Sequence, residues 1–217
     1  MKRICVFVGG RANYSSIKSV MSAVKAHPKL ELQVVLGASA ILDRFGKVED
    51  LIRKDGFEPN FTFHNIIEGE TPTTMAKSTG LGLMDASMIF NNLKPDMLVV
   101  VGDRFEMMSV TLAAAYMNIR IVHTMGGEGT GTIDESIRHA ITKFAHIHFP
   151  ANEDSRERII KMGEDERYVF NVRCPRTDLV SDELKNDSYE VLKNLFKVYG
   201  GVGKDFNLKE PYLLVSQ

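Results

Sequence analysis

A chain of 217 residues, 44% hydrophobic and 25% charged, has the make-up of an ordinary globular protein somewhat longer than one typical domain. Its net charge of −1 leaves no electrostatic footprint for nucleic acid or for an anionic membrane surface, so neither partner is expected. Two cysteines, Cys5 and Cys174, exclude a disulfide framework, and Cys5 within an apolar run is expected as a buried, reduced thiol. The opening run is too short for a secretory signal, and no stretch reaches the roughly 18 apolar residues of a membrane span, so a cytoplasmic protein is expected.

Residues 4–8 read as a strand, followed directly by Gly9-Gly10-Arg11-Ala12-Asn13-Tyr14-Ser15-Ser16 and a helix over 14–26. Glycines let a backbone approach an anion, and a helix amino-terminus offers free N–H groups and the positive end of its dipole. Arg11 adds a fork suited to phosphate, and Ser15 a hydroxyl. The plainer possibility is a βα turn with Ser15 or Ser16 as helix cap. The motif is neither GxGxxG nor a P-loop, which argues against a dinucleotide or ATP site.

A second strand is expected at 32–36, then a helix over 73–93 and a strand over 97–101. Gly102-Asp103-Arg104-Phe105-Glu106 follows, where an aspartate and an arginine at a strand end suit a base and a phosphate clamp. Asp103 is equally explained as the cap of the next helix, over 105–117. After a strand at 120–123, the stretch from His123 to His139 holds four glycines in six residues, with Glu128 among them and Asp134 at the next helix start. Asp134 and Arg138 are four apart on one helix face. Thr132 and Glu135 fit a capping box, which leaves Glu128 and the glycine density unexplained.

Helices at 133–145 and 154–162 flank a strand at 147–149, in which His146 and His148 are expected as satisfied polar positions rather than metal ligands. Strands alternating with helices imply a parallel, doubly wound sheet whose ligands sit at the carboxyl ends of its strands. Residues 181–210 read as a polar connector with a helix at 189–198, and 212–216 as a fresh strand, expected to open a second domain.

Taken together, Gly9 to Ser15, Gly102-Asp103-Arg104, Gly126-Gly127-Glu128, the long series from Gly131 to Lys143, and Cys174-Pro175-Arg176-Thr177-Asp178 resemble the hydrolysing UDP-N-acetylglucosamine 2-epimerases. The resemblance implies a Rossmann-like amino-terminal domain at 1–174 of a GT-B type two-domain enzyme. It implies that 175–217 form a connector helix and the first strand of a truncated second domain. The implied reaction turns UDP-N-acetylglucosamine and water into N-acetylmannosamine and UDP, on the route to sialic and related acids. By the same resemblance Asp103 and Asp134 match acid/base residues, with Glu128 a provisional third, and Arg11, Ser15, Arg104, Arg138 and His123 match substrate-binding positions. No metal or organic cofactor is implied, and a homo-oligomer is expected for the full-length enzyme.

Two departures from the family pattern stand out. Met125 occupies a position where the family carries a glutamate, and a thioether transfers no proton. Either Glu128 assumes that role, or Asp103 and Asp134 divide it differently, or activity differs. The final Gln217 matches a position that in the family precedes a catalytic His-Pro, so these 217 residues alone are expected not to turn over substrate. The alternatives are a non-hydrolysing epimerase of the same fold, more remotely a GT-B glycosyltransferase, and a non-catalytic remnant that binds a nucleotide sugar.

Overall fold

A computed structural model describes residues 1–184 and 193–194. The chain divides into two compact units, Met1–Arg176 and Thr177–Gln217. The first holds six strands: β1 (Lys2–Val8), β2 (Leu30–Leu36), β3 (Phe61–Thr62), β4 (Met97–Val101), β5 (Arg120–Thr124) and β6 (Ile147–Phe149). They form one sheet in the order β3-β2-β1-β4-β5-β6, with every pairing parallel. The helices are α1 (Arg11–Ala26), α2 (Val48–Lys54), α3 (Pro72–Leu93), α4 (Phe105–Tyr116), α5 (Ile133–Phe144) and α6 (Glu153–Lys161). A seventh, α7 (Arg176–Leu184), belongs to the second unit except for its first residue. The connector helix and final strand expected at 189–198 and 212–216 lie outside the described residues, apart from a helical 193–194.

The alternating and continuous apolar runs of the sequence explain the layers. In β1, Ile4, Val6 and Val8 enter a core with Tyr14, Ile17 and Met21 of α1 and Ile52 of α2. Cys5 and Phe7 point the other way, into a core with Ile89 and Phe90 of α3, Met107 and Val110 of α4 and Ile141 of α5. A strand covered on both faces needs apolar residues at both parities, which is why β1, β2 and β4 read as unbroken hydrophobic stretches. The doubly wound Rossmann-like sheet is therefore as expected, and Cys5 is a fully buried free thiol. Two short elements escape a pattern reading: β3 spans two exposed residues, and α2 buries only Val48 and Ile52.

Three expected caps are corrected. α1 begins earlier, with Gly10 as its cap residue and no capping side chain. Ser15 and Ser16 lie inside the helix, each donating to the Ala12 carbonyl at 3.0 Å. Asp103 does not cap α4, whose cap residue is Arg104. Thr132 caps α5 without a side-chain bond, because the Glu135 carboxylate is drawn to the Thr130 and Gly131 amides instead. Among the described residues a capping box forms at α3, where Thr71 and Thr74 exchange bonds around Pro72.

Candidate active site

The strand order reverses between β1 and β4, and such a switch point opens a crevice at the carboxyl ends of the strands. A cavity of about 490 Å³ lies there. Its floor is Gly10 to Asn13 at the start of α1 and Arg104 to Glu106 at the start of α4; its outer wall includes Ser39, Phe45, Glu70 and Thr74. The turn after β1 is tight. A Cβ at Gly10 would lie 2.6 Å from Ser39 Oγ, which itself donates to the Gly9 carbonyl at 2.8 Å. With no side chain capping α1, the first amides of that helix face the cavity uncompensated, a ready anion site.

The outer wall rests on two non-glycine residues held in the left-handed region, Ala38 at φ 50° and Glu70 at φ 48°. Such conformations persist only where the surroundings impose them. The fully buried Asn65 does so for Ala38, accepting from its amide at 2.8 Å.

Arg11 and Arg104 both border the cavity. Arg44, also on the wall, is neutralised by Glu68, whereas Arg11 has no ion-pair partner among the described residues. The Arg104 Nε donates to Glu106 Oε1 at 2.7 Å. Burial works against the charge of Arg104, but Glu106, and to a smaller extent Asp134, outweigh it and raise the guanidinium pKa. Burial also raises the Glu106 carboxyl above the ordinary carboxylate range, against the pull of Arg104.

The other expected residues gather beside the cavity rather than on its wall. Asp103 is bound by the Arg138 guanidinium, which reaches it from α5 and also donates to the Glu128 carbonyl at 2.7 Å. His123 is fully buried, its Nε2–H donating to the Gly102 carbonyl at 2.8 Å and its Nδ1 lying 3.2 Å from Thr142 Oγ1. Burial lowers its pKa to about 4, so the ring is neutral and its two nitrogens are taken by the protein. Ser15 spends its hydroxyl on its own helix.

The glycine-rich loop is clamped from several sides. Arg158 and Arg138 hold the carbonyls of Gly127 and Glu128, and Glu135 holds the amides of Thr130 and Gly131. Gly127, at φ 81°, packs so closely that a Cβ would lie 2.4 Å from the Ser155 carbonyl oxygen. Met125 adopts φ 59° and packs against the α1-side core. Farther off, His146 Nδ1 accepts from the Ile121 amide and His148 pairs with Glu164. Among the described residues no group of three or more His, Cys, Asp and Glu could hold a metal, and no helix is long and apolar enough to cross a membrane.

Sequence reasoning missed Glu106 as a wall residue, and the whole outer wall. The Thr71-Pro72 helix start was the available signal for the latter, since it places the beginning of α3 at the same end of the sheet.

A parallel sheet with a crevice at its switch point, lined by Arg11, Arg104 and the start of α1, defines a Rossmann-like protein whose crevice suits an anionic ligand. The family model for UDP-N-acetylglucosamine 2-epimerase matches residues 22–215, and the chain belongs to that family. It is 30% identical over 181 residues to the UDP-N-acetylglucosamine 2-epimerase of Neisseria meningitidis serogroup B, covering 83% of this chain and 47% of that protein. It is 33% identical over 178 residues to the UDP-N,N'-diacetylbacillosamine 2-epimerase (hydrolyzing) of Legionella pneumophila, covering 82% and 47% respectively. The chain spans about half the length of these curated relatives. Among solved structures, the Neisseria meningitidis UDP-GlcNAc 2-epimerase bound to UDP-GlcNAc superposes with a TM-score of 0.77 at 18% identity, over 92% of this chain and 54% of that one. At that identity the likeness speaks for the fold.

Proposed function

We propose that this protein is the Rossmann-like part of a hydrolysing UDP-N-acetylglucosamine 2-epimerase, with residues 1–174 as its amino-terminal domain and 175–217 as connector and start of a second. The observation that carries the reading is the placement of Arg11 and Arg104 on the floor of one cavity, after the two strands where the order reverses, beside the first amides of α1. Two cations and a helix amino-terminus stabilise a departing diphosphate.

In this reading a carboxylate removes the C2 proton of the sugar as the C1–O bond to UDP breaks, leaving an unsaturated 2-acetamidoglucal. Water then supplies a hydroxyl to C1 and a proton to the opposite face of C2, giving N-acetylmannosamine and UDP. Asp103 and Asp134 are the assigned carboxylates, with Glu128 provisional. Asp103 is oriented by Arg138, and Asp134 lies near enough to Arg104 and Glu106 for its charge to act on both. Arg138 acts here by positioning Asp103 and the Glu128 loop, and His123 by fixing the Gly102 turn. The hydrolysing assignment draws support from the stretch Gly131 to His139 and from relatives named as hydrolysing. Cytoplasmic location and homo-oligomeric assembly belong to the same reading and rest on the resemblance.

The test is product analysis after UDP-N-acetylglucosamine is incubated with a protein that carries this chain together with a complete second domain, since these 217 residues alone are expected not to turn over substrate. Free UDP with N-acetylmannosamine supports the proposal, and UDP-N-acetylmannosamine would transfer it to the non-hydrolysing reaction. A chain that neither converts nor binds the nucleotide sugar would defeat it.

A further inference from the structure

Glu106 stands in the first turn of α4, where an ionised carboxylate usually complements the helix dipole at the surface. Here the residue is only 1% exposed. Its two oxygens have different surroundings. Oε1 accepts from Arg104 Nε, whereas Oε2 is buried without any hydrogen-bond partner. Glu106 is one of the residues lining the cavity, and Gly9 makes room for its side chain: a Cβ there would lie 2.9 Å from Glu106 Cγ. A buried polar atom left unpaired costs about 1–3 kcal/mol, and beside a cavity a bound ligand is one source of the missing partner.

We propose that Glu106 is a ligand-contacting residue of this site, its Oε2 carrying a proton and donating a hydrogen bond to an oxygen of the bound nucleotide sugar while its Oε1 holds Arg104. The inference rests on the nucleotide-sugar reading above. A diphosphate brings negative charge into the crevice, where an ionised and unpaired carboxylate oxygen would repel it; a carboxylic acid offers a donor instead. The charged groups that act on Glu106 are Arg104 from its own loop and Asp134 from the start of α5. From the β1–α1 side it meets Gly9 and the neighbourhood of Asn13, both uncharged; Arg11, Arg44, Glu68 and Glu70 border the same cavity. Burial is the largest influence and favours the protonated form, Arg104 opposes it, and Asp134 adds to it. The proton is shared with the ligand and stays on Oε2, so the role makes and breaks no covalent bond.

Titration calorimetry of the 217-residue chain with UDP-N-acetylglucosamine, in buffers of two ionisation enthalpies between about pH 5 and about pH 8, tests this. Above the free-state pKa of Glu106, the wild type is expected to take up a proton on binding and to lose affinity by up to tenfold per pH unit. Glu106→Gln keeps an acceptor for Arg104 and a donor for the ligand. It is expected to bind with the wild type's acid-limb affinity at every pH, without proton uptake. Wild-type binding with no proton uptake and a flat pH profile overturns the proposal, and so does a Glu106→Gln chain that keeps the wild-type fall. No binding by the wild type at any pH sinks the nucleotide-sugar reading and this role with it, so the two failures are told apart. Wild-type binding without proton uptake overturns the proposal even if Glu106→Gln does not fold.

Discussion

The Asp103 carboxylate at the end of β4 is gripped by the Arg138 guanidinium from the second turn of α5, joining two loops that the chain separates by a strand and a helix. Arg138 keeps only 4% of its side chain exposed and Asp103 24%. Removing one partner strands a charge in a poorly solvated place. Arg138→Met should therefore destabilise the fold by about 3 kcal/mol, the low end for a buried pair because Asp103 retains solvent. Urea denaturation reads this directly, and an unchanged midpoint would refute the structural importance of the pair.

Acid should weaken the fold through His123. Its pKa is lowered to about 4 in the folded chain against about 6.5 in the unfolded one. A depressed pKa means that the unfolded state binds the proton first, so the stabilisation is complete above about pH 6.5 and drains away as pH falls toward 4. The loss amounts to roughly 3 kcal/mol over that window. His123→Gln, which retains a donor for the Gly102 carbonyl, should flatten the acid limb of the stability curve. Identical acid limbs in the two proteins would assign the loss to other groups.

Two glycines in the same loop should behave differently. Gly127 and Gly131 both have positive φ, 81° and 71°. A Cβ at Gly131 meets nothing within 4 Å, so Gly131→Ala should cost about 1 kcal/mol of backbone strain alone. At Gly127 the same change drives a Cβ into the α6 backbone, and about 3 kcal/mol or more is expected. Thermal melts of the pair compare them, and equal costs would show that α6 yields freely.

Arg11→Ala and Arg104→Ala should each weaken UDP binding about tenfold to a hundredfold, the range for a lost charged hydrogen bond. Loss of Arg104 also removes the partner of Glu106 Oε1, so its effect should be the more pH-dependent of the two. Affinities by calorimetry at low and moderate salt check both. A salt-independent loss would argue against a direct contact with phosphate.

Much of this was legible beforehand, and for identifiable reasons. β1, β2 and β4 are buried on both faces, so their apolar runs mark them, and topology then sends Arg11 and Arg104 to one end of the sheet. What was not legible depends on distant partners. Glu106 reads as an ordinary first-turn acid until Gly9 and Arg104 are seen to enclose it. Glu135 reads as half of a capping box until its carboxylate is seen to hold the loop before the helix. Arg138 shares a helix face with Asp134 on spacing alone, and only the sheet brings Asp103 within its reach.

Asn13 donates its side-chain amide to the carbonyl of Val101 at 3.4 Å, fastening the start of α1 to the last residue of β4. The segments that bear Arg11 and Arg104 are thus parts of one bonded unit, continuous with the paired strands beneath. The facing wall, from Ser39 to Ser78, is assembled from excursions that leave the sheet. Anchor and sieve are separable in this architecture. In the proposed reading, substitutions in the excursions alter which sugar is accepted, whereas substitutions at Arg11 and Arg104 alter the hold on its diphosphate.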